Sequence, residues 1–152
     1  MKRLLTPLFL LLILCGLTAC SSTKEIIANG LRVEVTRVQR DGNGAIEVTW
    51  RVHNPNIVPY VFSKTTHKLS LDGTLIGTLE DTSPLGVPQS NVVERTGTLV
   101  PAGGAATQAI EQALARGTAA YRQDSSIWIL IIDDELEKVV LNSAGTVPVT
   151  GQ

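Results

Sequence analysis

From Ile46 to His53 apolar and polar residues alternate without a break. Ile46, Val48, Trp50 and Val52 stand against Glu47, Thr49, Arg51 and His53, and the pattern stops at Asn54, Pro55 and Asn56. A period of two belongs to a strand, not a helix. Successive side chains on a strand point to opposite faces, so the four apolar residues are placed to line a core and the four polar ones to meet water. The strand also ends chemically. Pro55 has no N–H to give to a sheet ladder, it biases Asn54 towards extended backbone, and both asparagine side chains are suited to bonding nearby main chain. A chain carrying this stretch has to build a sheet with one buried face.

The remaining segments read the same way. Leu31, Val33, Val35 and Val38 alternate and then change parity near Thr36 and Arg37, which predicts a strand with a bulge, followed by a turn at Asp41, Gly42, Asn43 and Gly44. Residues 57–62 are apolar but interrupted by Pro59, as in an edge or crossing segment. Leu69 and Leu71 lead into a two-residue hairpin turn at Asp72 and Gly73, and residues 74–79 return. Residues 81–91, with Pro84, Gly86 and Pro88, read as a loop, and 94–100 as a strand. The period then changes: Ala106, Ile110, Ala113 and Leu114 predict a helix over residues 105–116, with Gly117 as its cap. Residues 127–132 are apolar throughout, as in a strand covered on both faces. Residues 133–135 turn it, 139–142 return, and 145–149 form a last, edge-like strand. Many short antiparallel strands with regular turns predict an all-β, antiparallel β-sandwich with one short helix.

The first residues belong to a different category. Lys2 and Arg3 precede an apolar stretch from Leu4 to Leu17, and Leu17, Thr18, Ala19 and Cys20 form a small-residue cleavage pattern ending in cysteine. This resembles a bacterial lipobox. The resemblance implies a signal peptide over 1–19, a mature chain beginning at a diacylglyceryl- and fatty-acyl-modified (palmitate-type) Cys20, a tether over 20–29 and a domain over 30–150. The alternative, a transmembrane anchor, meets an apolar run short of the ~20 residues that span a bilayer, followed at once by Ser21, Ser22, Thr23 and Lys24. The residue after the cysteine is serine, not the aspartate that marks inner-membrane retention in many such proteins. For a Gram-negative source that implies the outer membrane, facing the periplasm. With Cys15 removed and Cys20 acylated no thiol remains for a disulfide or a thiolate site, so the core alone must hold the domain. Loss of Lys2 and Arg3 takes the formal net charge from −1 to −3, with both signs interspersed and no basic patch for nucleic acid.

Chemistry is sparse. His53 and His67 lie near turns without carboxylate or thiol company at ligand spacing, and read as a solvated strand-face histidine and a loop histidine. Ser63, His67 and Asp72 are the nearest approach to a hydrolytic triad. Asp133, Asp134 and Glu135 read as a charged hairpin tip, lacking the glycine and ligand spacing of a calcium loop. Gly103 and Gly104, ahead of the helix, have only the weak anion affinity of any helix start. Leu85 and Val87 offer two readings: an apolar loop that docks a partner, or a lid folded back on the sandwich. No catalytic residue, metal or cofactor is expected.

The strand running into Asn54, Pro55 and Asn56, the segment Leu69-Ser70-Leu71-Asp72-Gly73 with its return to Gly77, and the terminal Ser143-Ala144-Gly145-Thr146-Val147-Pro148-Val149 together resemble the late embryogenesis abundant type 2 family, whose bacterial members carry water-stress and hypersensitive-response (WHy) domains. The resemblance covers about residues 30–150. It implies an immunoglobulin-like or fibronectin III-like sandwich, no established catalytic residues, and a role in response to desiccation and osmotic stress. One departure is that residues 103–116 read as loop and helix where the family runs a further strand. Two alternatives to a protective role are an adaptor that docks an envelope protein through the 81–91 loop or a sheet edge, and a lipid-binding module with its ligand between the sheets.

Overall fold

The structure, a computed structural model, describes residues 30–130 and 136–151. Cys20, the expected signal segment and tether, and the acidic run at 133–135 lie outside the described residues. Among the described residues nine strands and one helix follow in order: β1 (Arg32–Arg40), β2 (Ile46–Asn54), β3 (Tyr60–Leu71), β4 (Thr74–Asp81), β5 (Leu85–Val87), β6 (Asn91–Thr98), β7 (Val100–Pro101), α1 (Gly104–Arg116), β8 (Thr118–Leu130) and β9 (Leu136–Gly151). Hydrogen bonds link them in the order β6-β2-β1-β9-β8-β3-β4-β7, with β5 attached to β3. The strands curl so that two halves face each other, the all-β sandwich with one helix that the periodicity predicts. All pairings are antiparallel except one: β9 meets β1 in parallel at Val38–Arg40 against Val149–Gly151.

The period-two stretch behaves as its side chains require. Ile46, Val48, Trp50 and Val52 are buried while Arg51 is exposed. Thr49 departs from the expectation: it is buried because β1 and β6 flank it on both sides, and its hydroxyl lies 3.0 Å from that of Thr96. The parity change in β1 is a bulge between Val35 and Arg37. The hairpin turn at Asp72 and Gly73 forms with both residues at positive φ (47° and 83°). The helix spans Gly104–Arg116, ends in a left-handed Gly117 whose N–H bonds to the carbonyls of Ala113 and Leu114, and buries Ala106, Ile110 and Ala113.

Four expectations are corrected. Residues 60–71 form one long interior strand, because Pro59 precedes the ladder instead of interrupting it. Residues 118–126, unassigned from sequence, belong to β8. The apolar run beginning at Ile127 is covered on one face only, with Ile127 and Ile129 buried and Leu130 40% exposed. The last segment is not a separate strand but the end of β9, which pairs with β8 up to Pro148 and gains β1 as a neighbour only from Val149.

The core divides in two. One cluster, under the helix, gathers Val38, Val48, Leu69, Leu71, Ile76 and Val147; the other gathers Leu31, Val33, Trp50, Val52, Phe62, Ile127 and Ile129. Each fully buried aliphatic or aromatic side chain contributes about 1.5–3 kcal/mol relative to exposure. Between the clusters the inner faces of β3 and β8 turn polar.

Candidate functional site

Three features position the polar chemistry: a buried histidine layer, a cleft beside it and the asparagine corner. The layer comes from the inward positions of β3 and β8 midway along the sandwich, where Thr65, His67, Gln123 and Ser125 are all 2% exposed or less. The His67 ring packs on Trp50 of the opposite half, with centroids 4.4 Å apart and planes tilted by 51°. Its Nδ1 lies 2.9 Å from both Ser125 Oγ and Gln123 Nε2, and Ser143 Oγ donates to Gln123 Oε1 at 3.3 Å. That last bond orients the amide: its oxygen faces Ser143, so its NH2 faces Nδ1, while Nε2 is buried with no hydrogen-bond partner among the described residues. Burial pushes His67 down to about 4, partly opposed by Asp81.

His67 is therefore an interior strand residue and not the loop histidine of the sequence reading. The hydrolytic arrangement does not assemble either. Ser63 donates to the Trp128 carbonyl, His67 is occupied by Ser125 and Gln123, and Asp72 accepts from the Ala120 N–H and pairs with Arg116. His53 sits half-exposed on β2. Among the described residues no group of three or more histidine, cysteine or carboxylate side chains is arranged to hold a metal ion.

The cleft opens where β1 and β9 part. Among the described residues their parallel contact covers only Val38–Arg40; over residues 32–37 β1 pairs there with β2 alone, and over 136–148 β9 pairs with β8 alone. The gap holds about 440 Å³ and is lined by Leu31–Glu34 on one wall, Leu141–Ala144 on the other, and Tyr121 at its base. Ser143 joins this wall to the histidine layer. The lining mixes Arg32, Glu34, Asn142 and Ser143 with aliphatic side chains, so it offers an acyl chain only a short apolar stretch.

At the asparagine corner, Asn54 is completely buried, and its amide donates to the carbonyls of Val58 (2.8 Å), Pro88 (3.1 Å) and Val87 (3.4 Å). Its Oδ1 accepts the Asn56 N–H at 3.0 Å. One side chain thus ties the end of β2 to the start of β3 and to the end of β5, while Pro55 lies against the chain at Gly30. The 81–91 segment is corrected here. Leu85–Val87 is a short strand on β3, and Leu85 and Val87 are 3% and 1% exposed. The lid reading describes them, because Tyr60–Phe62 supplies a backbone ladder that turns both side chains into the core.

Sequence reasoning missed Gln123, Ser125, Ser143 and Tyr121. The inward face of residues 118–126 runs from Ala119 and Tyr121 into the polar Gln123 and Ser125, so apolar alternation breaks off there, and Ser143 meets Gln123 from β9, 20 residues away in sequence.

No family model and no curated protein matches the chain. Among solved structures, the solution structure of AT1g01470 from Arabidopsis thaliana is similar, with a TM-score of 0.52 and 14% identity over 79% of this chain and 78% of that one. A protein from Archaeoglobus fulgidus gives a TM-score of 0.47 at 15% identity, covering 79% and 95%. At2g46140.1, described as a candidate late embryogenesis abundant protein, gives 0.41 at 11% identity, covering 84% and 76%. At these identities the likeness is one of fold, and AT1g01470 carries it.

Proposed function

We propose that this chain is a non-catalytic, lipid-anchored sandwich module that protects the cell envelope when water is lost. The observation that carries the reading is the asparagine corner. The residues on which the sequence resemblance rests do structural work, Asn54 locking three segments together, and the fold agrees with that resemblance. The outward charges form cross-strand or inter-element pairs, Glu34 with Arg51, Lys64 with Glu80 and Arg40 with Glu111. Such a module holds its shape through the two apolar clusters of its core. Held at high local concentration on a bilayer, it separates neighbouring headgroups and partly unfolded proteins as water activity falls. The anchor follows from the lipobox resemblance at Cys20: each acyl methylene buried contributes ~0.8 kcal/mol, and several chains together hold where one does not.

Deleting the gene and drying or osmotically shocking the cells tests this. Survival should fall and envelope permeability rise, with rescue by the wild-type chain and not by Cys20→Ala. Unchanged survival and permeability in the deletion strain contradict the proposal.

A second reading, an adaptor for an envelope protein, is favoured by the edges of β1 and β9 on either side of the cleft, which pair with no other strand among the described residues. An extended segment pairing there would satisfy free N–H and C=O groups and lay alternate side chains between Leu31 and Leu141. A photocrosslinker at Asn142 in living cells should then give one dominant protein adduct; none leaves the protective reading alone.

A further inference from the structure

The ends of five strands meet at one pole of the sandwich. β1 starts there and β2 ends there, as the Arg32 to His53 pairing requires. Through the asparagine corner β3 also starts there, and its Phe62 to Ile129 pairing brings in the end of β8 and so the start of β9. Of the eight large hydrophobic side chains exposed among the described residues, five lie at this pole: Ile57 (85%), Val58 (48%), Val61, Val92 and Leu130. Scattered exposed aliphatics are ordinary, but a gathering at one end is not. Beside them on the outer face, the Trp128 ring has Lys64 Nζ 5.4 Å and Lys138 Nζ 5.3 Å from its centroid, and Val140 is 60% exposed. Aliphatic tips bordered by a tryptophan with lysines are the composition of a protein surface at a membrane interface.

The chain itself says which surface covers this pole. Gly30 lies so close to Pro55 that an added Cβ would be 2.9 Å from Pro55 Cγ, which puts the start of the described chain on the same corner as Ile57 and Val58. Only residues 21–29 separate it from Cys20, a reach of at most about 35 Å. We infer that the pole bearing Ile57, Val58, Val61 and Leu130 rests on the bilayer to which Cys20 is anchored, with Trp128, Lys64 and Lys138 at headgroup level. The inference depends on the anchored reading above. Lys64 is paired with Glu80, and Asp133, Asp134 and Glu135 fall in sequence between β8 and β9, so the contact is apolar and not a basic patch seeking anionic lipid.

The test uses the full acylated protein reconstituted in phosphatidylethanolamine and phosphatidylglycerol vesicles. A bimane is attached through Ile57→Cys or, at the opposite pole, through Asn43→Cys, and nitroxide lipids act as quenchers. Both positions are exposed, so folding is not at issue. On floated vesicles, quenching at 57 should be several-fold stronger than at 43 and should persist in high salt. Floated protein with equal quenching at the two positions overturns the docking surface and leaves the anchor standing. Protein that does not float overturns both. A single dominant protein crosslink from position 57 in cells, without lipid quenching, gives the patch to a protein partner and also overturns the inference.

Discussion

Asn54 carries more of this structure than its size suggests, because a fully buried amide satisfies three carbonyls and one N–H that would otherwise face an apolar interior. Leaving buried polar groups without partners costs about 1–3 kcal/mol each. Asn54→Ala should therefore lower unfolding free energy by about 2–4 kcal/mol, read as a fall in the urea midpoint with an unchanged slope. His67 makes a pH-dependent prediction. Its folded pKa, about 4, lies below the ordinary 6.5, so between those values the unfolded chain binds a proton that the folded chain does not. Stability is then undiminished above about 6.5 and declines as pH falls towards 4, by about 3 kcal/mol in all. His67→Gln should flatten that limb of the curve. The Arg40 hydrogen bond holds the Glu111 carboxyl below its usual range, so Glu111 acts only at more acid pH. An unfolding midpoint as steep with pH in the variant as in the wild type would exclude His67 as the cause.

At the scale of elements, β4 and β7 meet where a side chain has no room. A Cβ at Gly77 would lie 2.3 Å from the Val100 carbonyl oxygen and 2.8 Å from Leu99 Cγ. Gly77→Ala should displace β7 from β4 and loosen the start of the helix. The expected cost is about 1–3 kcal/mol, checked by chemical denaturation, with faster hydrogen exchange at Ala102, whose N–H bonds to the Ile76 carbonyl. Elements that bury apolar residues at a regular period were legible in the sequence: β2, the β1 bulge, the Asp72 hairpin and α1. Elements whose inward positions are polar were not. In β8 the inward residues include Gln123 and Ser125, and in β3 they include Thr65 and His67, so the alternation that identifies a strand was invisible where the histidine layer lies. Leu85 and Val87 were visible as apolar residues, but nothing local revealed that Asn54, more than 30 residues away, holds their strand in place. The parallel contact of β9 with β1 joins the two ends of the domain and has no local signature.

For the molecule as a whole, the two apolar clusters, the polar layer between them and the cleft where β1 and β9 part belong to one design. A curled sheet closes at one end through three residue pairs and stays open along the rest of that seam. Filling the seam tests its use: an Ala144→Trp side chain on the exposed wall would occupy part of the gap, and should leave a protective function intact while weakening strand docking. Adduct formation from Asn142 in cells, with and without that substitution, separates those outcomes. The account as a whole stands on the chain being held at a bilayer by its own first mature residue. Mass spectrometry of the amino-terminal peptide of protein extracted from cell membranes tests this most directly. It should begin at Cys20 and carry a diacylglycerol and an amide-linked fatty acid; a peptide retaining residues before Cys20, with an unmodified thiol, would contradict it.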